Sequence, residues 1–83
     1  MMNLGSKVKL VSFNGDSLSP QDCDPAENYW RLIGAYGTIE ELENSRGRVL
    51  VRFERNLSEM GLHCHNPSPN SLYILPSDLE VRS

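Results

Sequence analysis

The chain has 83 residues, with eight Lys and Arg against eleven Asp and Glu and a formal net charge of −3. That length fills one hydrophobic core and not two, and the acidic balance disfavours a protein held to nucleic acid by phosphate neutralisation, which wants a basic face. No run approaches the roughly 20 apolar residues of a membrane span, Met1-Met2-Asn3-Leu4-Gly5 lacks a signal-peptide layout, and two cysteines, Cys23 and Cys64, make no disulfide framework. The expectation is a cytoplasmic protein with reduced thiols.

Lys7-Val8-Lys9-Leu10-Val11-Ser12-Phe13 alternates at its start and is rich in strand formers, so it reads as a first strand. Asn14-Gly15-Asp16 ends it with strong turn chemistry. Residues 17–28 are polar, with Pro20, Pro25 and the acids Asp22, Asp24 and Glu27, and form a long loop. Proline directly after an aspartate cap predicts one short helical turn from Asp24 through Glu27.

Tyr29-Trp30-Arg31-Leu32-Ile33 reads as the start of a second strand, continuing through Gly34 and Gly37 to Glu43. Glycines inside a strand mark a bulge or bend, which a small barrel needs. Asn44-Ser45-Arg46-Gly47 predicts a hairpin turn that returns the chain antiparallel. Residues 48–54 give the cleanest alternation, with Val49, Val51 and Phe53 facing the core and Arg48, Arg52 and Glu54 facing out. Leu50 breaks the pattern and is either a second-face contact under a loop or part of a binding surface. A second long loop follows over residues 55–71. Leu72-Tyr73-Ile74-Leu75 then reads as a short strand stopped by Pro76, Ser77-Asp78-Leu79 as a tight helical turn, and Glu80-Val81-Arg82 as a last strand pairing back to the first.

Gly34-x-x-Gly37-x-Ile39, then Val49-x-Val51-x-Phe53, then Leu75-Pro76-x-x-Leu79 resemble the rhythm of the SH3-like barrel superfamily over nearly the whole chain. The resemblance implies an all-β fold: a single small SH3-like barrel over residues 1–83, of about five antiparallel strands with two long loops and one short 3-10 turn. Eukaryotic-type SH3 domains of that superfamily bind proline-rich peptides with aromatics and an acidic loop. Asp16, Asp22, Asp24, Glu27 and Trp30 loosely echo that acidic loop and its tryptophan, while the tyrosine pair of the first strand is missing. KOW and Tudor-like modules share the Gly-x-Ile and Val-x-Val spacing, but this chain lacks their basic surface. Plasmid-encoded type II dihydrofolate reductases are similar in length and ending. Their Ser-Val-Gln-Ile-Tyr-Pro stands where this chain has Ser71-Leu72-Tyr73-Ile74-Leu75-Pro76, so the Gln and Tyr that touch cofactor and substrate there are replaced by Tyr73 and Leu75.

Residues 1–45 carry three basic against seven acidic side chains, and residues 46–83 carry five against four. Arg46, Arg48, Arg52 and Arg55 could form a stripe for nucleic acid, but a solvated face with cross-strand pairing to Glu40 and Glu41 is the simpler account, since the local basic excess is modest. His63-Cys64-His65 is the one metal-like cluster. On an extended chain the two imidazoles and the thiol face opposite ways, and the paired short spacings of a structural zinc site are absent. Cys23 or Asp24 could join only if the two long loops meet. The same geometry denies Cys64 a neighbouring base.

The residues left for binding are Tyr29, Trp30, Tyr36 and Tyr73, with Asp22 and Asp24, because aromatics carry most of the energy in peptide recognition. The sequence therefore points to a non-catalytic module that binds a peptide or protein partner between its two long loops, with no cofactor and no metal. An oligomer with a small-molecule pocket at its symmetry axis, lined by residues 72–75, is the competing expectation. Weak nucleic-acid binding is a third.

Overall fold

Alternating apolar residues set one face of each strand against a common core, and five short strands carry that pattern. In a computed structural model describing residues 2–64, 66 and 68–82, the strands are β1 (Lys7–Leu10), β2 (Tyr36–Glu41), β3 (Val49–Phe53), β4 (Ser71–Ile74) and β5 (Leu79–Arg82). All adjacent strands run antiparallel in one sheet of order β4-β3-β2-β1-β5. The protein is all-β, with 3-10 turns at Pro25–Glu27, Tyr29–Leu32 and Pro76–Asp78. Among the described residues, no helix is long and apolar enough to cross a membrane.

The core is built from Val8, Leu10, Ile39, Val49, Val51, Phe53, Leu72, Ile74 and Leu79 of the strands. Phe13, Leu32 and Ala35 from the β1–β2 connection and Leu57 and Leu62 from the second long loop complete it. Leu50 lies on the opposite face of β3 and is nevertheless only 4% exposed, so it is a second-face contact and not an open binding surface. In register it sits between Tyr73 on β4 and Glu41 on β2. The Tyr73 hydroxyl donates to Glu41 Oε1 at 3.2 Å, which joins those two side chains across it.

Several local expectations change. Three 3-10 turns stand where the resemblance implied one, and β1 ends at Leu10 and not at Phe13, because the chain turns away at Asn14-Gly15. Tyr29–Leu32 is a 3-10 turn and not the start of β2. The irregularity in β2 falls between Ile39 and Glu41, away from both glycines. Gly34 precedes the strand. Gly37 is required by close approach, because a Cβ there would lie 2.6 Å from Val51 Cγ1 and 2.8 Å from the Arg52 carbonyl oxygen. The hairpin turn at residues 44–47 is as expected: Asn44 Oδ1 accepts from the amides of Arg46 at 2.9 Å and Arg48 at 3.1 Å.

Candidate ligand-binding cleft

The chain leaving β1 makes a two-residue turn. Phe13 and Asp16 exchange backbone hydrogen bonds of 2.8 and 3.1 Å, with Asn14 and Gly15 both at positive φ, 52° and 84°. Asn-Gly suits this conformation because neither residue resists a left-handed backbone strongly. The turn is anchored from below by Asp78, a buried carboxylate in the turn before β5. Asp78 accepts from the Ser12 hydroxyl at 2.6 Å and from the amides of Asn14 at 2.8 Å and Gly15 at 3.0 Å. Arg48 Nη2 holds Asn14 from the other side, donating to its Oδ1 at 3.0 Å.

Phe13 is thereby fixed beside the β1–β2 loop. Its ring packs edge-on against Trp30, with centroids 4.8 Å apart and planes at 76°, and tilted against Tyr29 at 5.6 Å. Edge-to-face contact of this kind is a favoured arrangement of aromatic quadrupoles. Asp24 Oδ1 accepts from the Ala26 amide at 2.9 Å and so starts the Pro25–Glu27 turn, which feeds directly into Tyr29–Leu32. Leu32 plants that second turn in the core.

The two long loops do meet. The Tyr29 hydroxyl donates to the His63 carbonyl at 2.7 Å, Arg31 Nη1 to the Met60 carbonyl at 2.7 Å, and the His63 amide to the Ala26 carbonyl at 2.8 Å. Burial, with added repulsion from Glu27 and Cys64, holds the Tyr29 phenol above its ordinary pKa. The metal reading depended on His63, Cys64 and His65 together; His65 lies outside the described residues. Among the described residues no group of three or more His, Cys, Asp and Glu is placed to hold an ion.

The result is an open cleft of about 560 Å³. Phe13, Tyr29 and Trp30 give it an aromatic wall, Asp22, Asp24 and Glu27 an acidic one, and Asn14, Pro20 and Cys23 complete the lining. Trp30 Nε1 is buried and has no hydrogen-bond partner among the described residues, and the same holds for Asn28 Oδ1. Both residues line a shallower depression of about 190 Å³ beside Ser17 and Ser19. A third opening of about 460 Å³, lined by residues including Leu62, His63, Cys64 and Pro69, lies in the second loop. Burial alone would push the Cys64 thiol up, but hydrogen bonds from the Ser71, Asn66 and Asn70 backbone and the Ser71 side chain outweigh it and hold the thiol below its ordinary value.

Of the six binding residues expected from sequence, the structure brings Asp22, Asp24, Tyr29 and Trp30 to this cleft and leaves two elsewhere. Tyr36 lies on the outer face of β2, with the Arg82 guanidinium 5.9 Å over its ring. Tyr73 lies on β4 and bonds to Glu41. Sequence order placed these two near the long loops, but the sheet puts β1 and β3 on either side of β2 and β4 at the edge. Phe13 was missed as a lining residue, and Glu27, part of the acidic-loop resemblance, was not counted among the binding residues. The Asn14-Gly15 turn immediately after Phe13 was the available signal, since it folds that ring back toward the loop. In the arginine stripe, Arg52 Nε pairs with Glu40 Oε2 at 3.2 Å, and Arg48 is held by Asn14 and by the Tyr73 carbonyl at 3.4 Å.

No family model, curated protein or solved structure matches this chain.

Proposed function

We propose that this protein is a non-catalytic interaction module, an SH3-like barrel that binds an extended peptide segment of a protein partner in the cleft beside Trp30. The observation that carries this reading is the pairing of an aromatic wall, Phe13, Tyr29 and Trp30, with an acidic wall, Asp22, Asp24 and Glu27. Flat rings accept apolar or proline side chains at low entropic cost, and carboxylates select for basic neighbours. The preferred partner is therefore a segment in which Lys or Arg alternates with proline or apolar residues.

Trp30 is the sole tryptophan, so its fluorescence reports on the cleft directly. Titration with proline-containing peptides carrying arginine should shift that emission, and the glutamate-substituted counterparts should not. Asp24→Asn keeps a good cap while removing charge; together with Asp22→Asn it should weaken binding and flatten its salt dependence. Equal response to basic and acidic peptides would overturn the reading.

A further inference from the structure

The two edges of the sheet are finished differently. In an antiparallel ladder, residues alternate between those that bond to a given neighbour and those whose N–H and C=O point away. The Val11 amide donates to the Asp78 carbonyl at 2.9 Å, whereas Leu10 bonds to Ala35 and Gly34 on the β2 side. With the β1–β5 register Lys9↔Glu80 and Lys7↔Arg82, the alternation commits Glu80 and Arg82 to β1 and turns the Val81 N–H and C=O off the free edge. Leu79 N–H is already bonded to the Pro76 carbonyl. At the opposite edge, the same alternation turns Ser71 and Tyr73 outward on β4, and there side chains cover the carbonyls. Asn66 Nδ2 donates to Ser71 O at 2.7 Å and Arg48 Nη1 to Tyr73 O at 3.4 Å. Among the described residues Val81 has no such cover, and it is 41% exposed.

We infer that β5 is a self-pairing edge, at which a second copy of this chain adds antiparallel across a twofold axis through Val81. The backbone and the charges select this register together. Centred on Val81, the two copies exchange a pair of N–H to C=O bonds, their Val81 side chains meet on the core side, and each Glu80 faces the partner's Arg82. Slipped so that the axis passes through Glu80, the pairing needs the Leu79 N–H that Pro76 occupies and opposes two like carboxylates. Slipped so that it passes through Arg82, it opposes two guanidiniums. The Arg82–Glu80 pair of 2.7 Å within one chain becomes two pairs between chains, on the same outer face. An isologous contact of this kind closes as a dimer and leaves no further edge of the same type. With a four-residue strand on each side the interface is small, which places the dimer among weak, reversible associations. This inference is independent of the cleft.

Sedimentation equilibrium of the full chain tests it, alongside amide NMR spectra recorded against concentration. The expected result is a monomer–dimer equilibrium that weakens with added salt. Val81→Pro removes the outward N–H without touching the β1 ladder and should weaken association by at least about tenfold. Glu80→Arg and Arg82→Glu should each weaken it, and the double variant, which restores opposite charges across the axis, should recover it. The charge variants keep the test decisive if the proline variant fails to fold. A chain that stays monomeric up to about 1 mM, or a dimer indifferent to these substitutions, overturns the inference.

Discussion

The Asp78 carboxylate and the Asn14 backbone amide lie 64 positions apart in the chain and 2.8 Å apart in the fold. The same carboxylate takes the Gly15 amide and the Ser12 hydroxyl, so one buried acid fixes a turn that supplies a wall of the cleft. Asp78→Ala strands three donors in a partly buried site. Loss of hydrogen bonds to a charged group should cost about 2–3 kcal/mol, read as a lower midpoint in urea unfolding. An unchanged midpoint would show that water replaces the carboxylate freely.

Gly37→Ala should destabilise by about 1–3 kcal/mol, the usual range for overpacking. The added methyl meets the Arg52 carbonyl, which the β2–β3 ladder holds in place, as well as the more adaptable Val51 side chain. Thermal unfolding of the alanine variant checks this; stability equal to the parent would mean that the two strands separate at no cost.

Cys64 and the tyrosines predict opposite slopes of stability with pH. The folded Cys64 thiol sits below its ordinary value of 9.0. Its contribution is therefore present above that value and is lost as pH falls through the folded value. In a Cys23→Ser background, alkylation of Cys64 by iodoacetamide should reach half its limiting rate at a lower pH in the native protein than in the urea-unfolded chain. Coincident midpoints would remove the effect.

Tyr29 and Tyr73 lie above their ordinary value of 10.0. Burial comes first in both, with Glu27 and Cys64 adding to it at Tyr29 and Glu41 adding to it at Tyr73. Their contribution is present below that value and disappears as pH rises through the folded values. Glu41→Gln should bring the Tyr73 ionisation midpoint down, followed by phenolate absorbance with Tyr29 and Tyr36 replaced by Phe. A midpoint that stays put would assign the whole displacement to burial.

Tyr29→Phe removes the hydroxyl that reaches the His63 carbonyl while keeping the ring against Phe13. The expected loss is about 0.5–1.5 kcal/mol, and amide exchange should quicken in residues 60–64 more than in β2 and β3. Uniform quickening across the sheet would mean the bond serves global stability alone.

The strands were legible because alternation marks them directly: Val49, Val51 and Phe53 are buried where the pattern placed them. Tyr29–Ile33 was misread because its residues favour strands by type. Its spacing carried another message, since Tyr29 and Leu32, like Trp30 and Ile33, stand three apart, the period of a 3-10 turn. Tyr73 stands between Leu72 and Ile74, so parity turns it away from the core, but strand order does not appear in a local pattern, so the separation of Tyr36 and Tyr73 from Trp30 was invisible. The same limit hid Asp78, whose three partners come from the far end of the chain. Leu57 and Leu62 reach the core from a stretch with no recognisable period.

The cross-ties from Tyr29, Arg31 and Ala26 to residues 60–63 make each long excursion the buttress of the other. Residues 14–35 transplanted alone onto a foreign scaffold would arrive without half their support. An engineer wishing to move this recognition surface must carry both pieces as a matched set.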